Sequence, residues 1–248
     1  WDMTEADRIR QDAQPAYLLH SYAYRETSLI IETFTREQGR VALVARGARR
    51  PRSALRGVLL AFAPLTISWS GKSELRTLHK AEWQGGLPQL KGDALLCGFY
   101  LNELLLKLVA RDDPHAVLFY AYDETLQALA RGAHQGAALR RFERKLLAEI
   151  GYAPSLEHEA ESGAPVVAGR SYSYVLENGL IPSDRPGNVS QKNRLELSGQ
   201  TLLDIARDEY TNPVTLQQSK ALMRMLINHY LGNQMLNTRQ LLKDLQQL

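Results

Sequence analysis

The hydrophobic period of this chain changes at "GGLPQLKGD" (85–93), and that change limits the fold more than any other feature. Before it, apolar residues come in short runs rich in aliphatic, aromatic and Thr side chains: "AYLLHSYAY" (16–24), "SLIIETFT" (28–35), "GRVALVAR" (39–46), "PLTISWS" (64–70) and "LRTLHKAEW" (75–83). Gly, Pro and charged residues separate them, so they read as strands. In "RVALVA" the strand period puts Val41, Leu43 and Ala45 on one face, and Arg40, Ala42, Val44 and Arg46 on the other. Five strands in about 70 residues can each bury one face by closing into a small barrel that leaves no long edges. An OB-type barrel fits the count, with an SH3-like barrel its nearest rival.

After the change, "ALLCGFYLNELLLKLVA" (94–110) is apolar nearly all round and reads as a buried helix. "AVLFYAYDETLQALARG" (116–132) and "AALRRFERKLLAEIG" (137–151) follow at helical spacing, each with a terminal glycine, and the three predict a helical bundle. The region 152–193 is rich in Gly, Pro, Ser and Asn and reads as an inserted loop or small hairpin unit around "SYSYVLENGLI". Helical pattern returns over 199–210, 215–232 and 238–248, and the end of the chain is expected to pack back onto the first helices. With 44% hydrophobic residues in 248, the chain has material for one large domain or two small ones with real cores. The expectation is an α+β multidomain protein with an extension over 1–14, an OB-fold over 15–84 and a mostly helical domain over 85–248.

Charge is concentrated on the barrel. The net charge is +3, but residues 15–84 carry 11 Lys/Arg against 5 Asp/Glu. Between Gly39 and Ser73 stand Arg40, Arg46, Arg49, Arg50, Arg52, Arg56 and Lys72, and no acid. An uncancelled field of that kind suits a polyanion. Arginine forks onto phosphate oxygens and also stacks on bases, and Gly47, Pro51 and Gly57 keep the stretch from becoming a plain helix, so it is expected to project as a loop. Tyr22, Tyr24, Phe62 and Trp69 lie on the same module as candidates for base stacking, with core packing the expected fate of at least half. A charged run is, by default, merely a solvated face.

Catalytic patterns fail on inspection. "SGKS" (70–73) ends like a phosphate loop, but Thr66 stands where that motif needs its first glycine and a strand follows instead of a helix. Six histidines are dispersed without metal spacing, "EHEAE" (157–161) reads as a solvated acidic loop, and nucleophile elbows are absent. Cys97 is the only cysteine, so neither an internal disulfide nor a multi-thiolate zinc site can form. No run reaches the roughly 18 apolar residues of a membrane span, and the polar, acidic start is unlike a signal peptide, which predicts a cytoplasmic protein. No catalytic residue, metal site or cofactor is expected.

A second basic spot, Arg140 and Arg141 with Arg144 and Lys145, lies beside Leu139 and Phe142. It reads either as an exposed helix face or as an anion site next to an apolar groove, which suits a peptide with a hydrophobic side chain and a terminal carboxylate.

"RETSLIIETFTREQGRVALVARGARRPRSALRG" (25–57), "LAFAPLTISW" (60–69) and "LRTLHKAE" (75–82) together resemble the N-terminal domain of the RecO family of bacterial recombination mediators. "GFYLNELLLKL" (98–108) and "LRRFERKLLAEIGY" (139–152) resemble its helical domain, and the likeness runs from about Ala16 over nearly the whole chain. The resemblance implies a non-enzymatic DNA repair protein, cytoplasmic and nucleoid-associated, that binds single- and double-stranded DNA and anneals complementary strands. It also implies that, with RecR, the protein helps load RecA onto strands coated by single-stranded DNA-binding protein (SSB). By motif matching, Arg140 in "LRRFE" is the implied contact for the acidic, Phe-ending SSB tail, with Arg141, Leu139, Phe142, Phe99 and Tyr100 as additions. Many members carry a four-Cys zinc finger in the inserted region. Here Glu159 and Ser162 stand at the first pair and "GLIPSD" (179–184) has no Cys, so a degenerate, metal-free loop is expected. The rival readings are a protein adaptor whose basic module meets an acidic partner and, more weakly, a nuclease or ATPase.

Overall fold

The computed structural model describes residues 10–184, 193–232, 234–238 and 240. The first nine residues of the expected extension, and most of the expected helix over 238–248, lie outside the described residues.

Five strands form the barrel: β1 (Gln11–Tyr24), β2 (Ser28–Thr35), β3 (Gly39–Ala45), β4 (Pro64–Ser70) and β5 (Leu75–Trp83), with the short helix α1 (Leu55–Val58) between β3 and β4. The barrel closes in the order β1-β2-β3-β5-β4, with β1 returning to β4. All pairings are antiparallel except β3 with β5, and that parallel seam gives the OB-type order. β3 buries the face that alternation assigned to it: Val41, Leu43 and Ala45 line the interior with Ile31, Ile67 and Trp69. β1 starts earlier than its apolar run, because Gln11 and Gln14 pair through their backbones with Trp69 and Ile67. The β2–β3 turn ends at Gly39, where φ is +66° and an added Cβ would lie 1.9 Å from the Asp113 carbonyl oxygen.

Helices α2 (Asp93–Leu108) and α3 (Ala116–Ala130) belong with the barrel, not with the later helices as the bundle expectation had it. The reason lies on the barrel's outer surface. Tyr17 and Phe34 are cross-strand partners pointing outward, and the rings of Phe119 and Tyr122 from α3 pack on them. The Tyr17 hydroxyl donates to Asp123, and Asn102 of α2 donates to the Leu19 carbonyl at 3.0 Å. Burial first, and then the Asp123 carboxylate, hold the Tyr17 phenol far above its ordinary pKa, so it stays a donor. As expected, the chain returns to the first helices: Glu103 accepts from the Asn237 N–H at 2.7 Å and from the Thr238 N–H and hydroxyl at 2.9 and 2.7 Å.

A second compact unit, His134–Met235, holds α4 (Gln135–Glu149), the strands β6 (Ser171–Val175), β7 (Gly179–Pro182) and β8 (Arg194–Ser198), and the helices α5 (Gly199–Ala206) and α6 (Pro213–Leu231). Within the inserted region β6 and β7 form the hairpin, and β8, just past it, pairs with the other edge of β6. Ser198 ends β8 and caps α5, its hydroxyl accepting from the Thr201 N–H, while Asn212 caps α6 ahead of Pro213. In the inserted region the Ser162 hydroxyl donates to Glu159 at 2.6 Å.

Candidate nucleic-acid interface

The arginine stretch between β3 and β4 is a succession of turns. The Arg50 N–H donates to the Gly47 carbonyl and the Ser53 N–H to the Arg50 carbonyl, each at 3.0 Å. Gly47 allows the first turn, with φ at +68°. Small and apolar residues of the stretch turn inward: Ala48 joins the barrel core, and Leu55, Val58 and Leu59 pack against it. The charged residues are left outside. Arg46, Arg49, Arg50, Arg52 and Arg56 are all exposed, and none has a carboxylate partner among the described residues.

Arg49 also ties the stretch to the β1–β2 turn. Its N–H donates to the Thr27 carbonyl at 2.8 Å and its guanidinium to the Arg25 carbonyl at 3.2 Å. Arg25 thus joins the same rim, with its guanidinium 5.1 Å above the Tyr24 ring. Sequence reasoning passed over Arg25 because Glu26 follows it. The hairpin signal "RETS" was the available clue, since β1 and β3 flank β2 and place their loops at one end.

Two expected members do not join this group. Arg40 is 9% exposed and points outward from β3 into the end of α2, where it donates to the Leu106 and Val109 carbonyls at 2.7 and 2.6 Å. Those carbonyls lie at a helix C-terminus and lack intrahelical partners, so a buried cation satisfies them. Glu32, 3.2 Å away, neutralises it, and Arg111 pairs with the same carboxylate. Arg40 is therefore a structural tie, not a phosphate contact. Lys72 is exposed, but the parallel register sets Leu75 beside Ala42, so Lys72 lies level with the start of β3 while the arginines follow its end. Phe62 and Trp69 are buried, which leaves Tyr22 and Tyr24 as the stacking candidates.

In the second unit, α4 carries the other basic spot. Arg140 is buried and binds Glu143 through two hydrogen bonds of 2.5 Å. Arg141 is exposed, bonds to Asp208 at 2.6 Å and lies 5.5 Å from the Tyr210 ring centre. Arg144 donates to the Ile205 carbonyl. Leu139 is half-buried and Phe142 buried. Phe99 and Tyr100 belong to the first unit, Phe99 exposed against Phe62 and Tyr100 buried. Among the described residues no cluster of His, Cys, Asp and Glu suits a metal ion, and no helix is long and apolar enough to cross a membrane.

Comparison with known proteins finds two family models that meet just after the barrel. Residues 10–86 match the family model described as recombination protein O N terminal, and residues 89–240 the one described as recombination protein O C terminal. A protein named DNA repair protein RecO from Nitrosospira multiformis is 56% identical over 242 residues, 98% of this chain and 99% of the relative. Its namesake from Azoarcus sp. (strain BH72) is 52% identical over 243 residues, 98% and 100% of the two chains. One from Burkholderia pseudomallei is 54% identical over 235 residues, 95% and 84%.

Proposed function

The chain belongs to the RecO family of DNA repair proteins, and on that premise we propose that its barrel binds single- and double-stranded DNA and promotes annealing of complementary strands. The observation that carries this reading is the rim of five exposed arginines without carboxylate partners among the described residues. Arg46, Arg49, Arg50, Arg52 and Arg56 neutralise phosphates, joined by Arg25, with Lys72 contributing from the opposite rim. Neutralisation lowers the repulsion between two strands, and base pairing then supplies the sequence specificity. The mechanism needs no bond making by the protein, which acts as a mediator.

The helical unit takes the acidic, Phe-ending tail of SSB at α4. Arg141 is the accessible cation, with Asp208 holding its place until the tail carboxylates exchange with it. Arg140, paired with Glu143, acts beside it among Leu139 and Phe142. Tail docking brings the protein to coated DNA, where with RecR it assists loading of RecA. The test is anisotropy titration of a labelled single-stranded oligonucleotide over a salt series, for the parent and for a variant with Arg49, Arg50 and Arg52 changed to alanine. A steep salt slope that falls in the variant supports the reading, and indistinguishable titrations refute it.

A further inference from the structure

The outer face of the β1–β2–β3 sheet is divided in two. At one end Tyr17 and Phe34 lie under Phe119 and Tyr122. Glu32 with Arg40 and Arg111 marks the end of this covered half. Beyond the cluster, register puts Tyr22 opposite Ile30 and Ile30 opposite Val44 on the same outer face. Among the described residues the sheet is bare here. Tyr22 is 48% exposed, and Ile30 and Val44 are only half-buried.

An aromatic ring at the surface of a bare sheet invites an apolar, flat occupant, and the arginines around it outnumber the nearby carboxylates Glu26 and Glu32, the second of which is held by Arg40 and Arg111. Arg25, Arg46 and Arg49 stand at the rim where these strands end, and Arg111, whose side chain is 41% exposed, stands at the other side. His20 meets Tyr22 edge to face, with ring centres 4.5 Å apart, and so fixes the ring without covering its whole surface. Flat apolar faces joined by regularly spaced anions describe unpaired nucleotides.

We infer that the bare half of this sheet is a base-stacking track for single-stranded DNA, with Tyr22 as its principal platform and Tyr24 leading to it from the arginine rim. The inference rests on the DNA-binding reading above and adds that the barrel distinguishes unpaired bases from a duplex, whose bases are already stacked on each other. The phosphates remain on the arginines, so loss of the ring weakens binding without changing its salt slope.

The experiment titrates three labelled probes of equal length: oligothymidylate, an oligomer of abasic sites and a duplex. Tyr22→Ala is expected to weaken oligothymidylate binding about fivefold or more and to leave the abasic and duplex probes unchanged. Tyr22→Leu, which keeps apolar cover over Ile30 without a ring, behaves as Tyr22→Ala, and Tyr22→Phe as the parent. An equal fall on all probes, an unchanged oligothymidylate affinity, or a Tyr22→Phe variant as weak as Tyr22→Ala overturns the stacking track. The Arg49, Arg50 and Arg52 triple alanine variant, measured alongside, separates the two claims. If it loses affinity for every probe while Tyr22→Ala loses none, only the track fails. If it binds like the parent, the DNA reading fails with it.

Discussion

Arg40 and Glu32 face each other at 3.2 Å from adjacent strands of the barrel, and both are buried. Removing one member of such a pair strands the other charge and, here, two helix-end carbonyls. Arg40→Ala is expected to lower stability by about 3 kcal/mol, at the low end of such losses because Arg111 stays on Glu32. Urea unfolding measures it. DNA affinity of the folded variant should match the parent, and a specific loss of DNA binding at unchanged stability would contradict the structural role.

The rim arginines should act through phosphates alone. With about five phosphates of single-stranded DNA contacted, log affinity falls with log salt at a slope of about 3 to 4 in magnitude. The triple change of Arg49, Arg50 and Arg52 to alanine lowers that slope by about 2. These side chains are exposed and the Arg49 guanidinium gives up one surface hydrogen bond, to the Arg25 carbonyl, so the melting temperature should change little, which a thermal scan beside the titration checks.

On α4, Asp208 competes with any incoming carboxylate for Arg141. Asp208→Asn should therefore tighten binding of an acidic, Phe-ending peptide, while Arg141→Ala weakens it by about tenfold; calorimetry distinguishes the two directions. Arg140→Ala should lose peptide binding too, but it also removes both hydrogen bonds that Arg140 gives to the buried Glu143, so its unfolding must be measured in parallel. Both changes lie in the second unit and should spare naked-DNA binding. If DNA and peptide affinities fall together, the division of labour between the units is wrong.

The Glu103 contacts predict an acid limb of stability. Burial raises the Glu103 pKa, but hydrogen bonds from Thr238, Lys107 and Asn237 outweigh it and leave the carboxyl below its ordinary value. A carboxyl depressed in the folded state contributes stability that is fully present above its unfolded pKa, about 4.3, and is lost as pH falls through the folded value. Glu103→Gln should cost about 1 to 2 kcal/mol at neutral pH and flatten that part of the decline. Urea midpoints measured from neutral pH down to below about 4 test both effects.

The inward face of "RVALVA" was legible because a two-residue period fixes register, although α3 also covers the outer face of β1 and β2 at Tyr17 and Phe34. The arginine rim was legible for a related reason: the stretch has too few apolar residues to bury. What escaped depended on partners distant in sequence. Alternation correctly set Arg40 on the outer face, but only the end of α2 makes that position an interior one. Lys72 is near the arginines in composition and far from them in the strand lattice, because β5 runs parallel to β3. β8 was missed because "RLELS" buries chiefly Leu197 and runs straight into a helix cap. Arg140 and Glu143 stand three apart on one helix, a spacing that already permitted their pairing.

The contact of Glu103 with Asn237 and Thr238 has a consequence for the order in which the protein matures. A nascent chain can close its barrel once β5 has left the ribosome, yet α2 waits for a segment made more than a hundred residues later. The whole second unit is synthesised in the interval, so the first domain to begin folding is among the last to be finished.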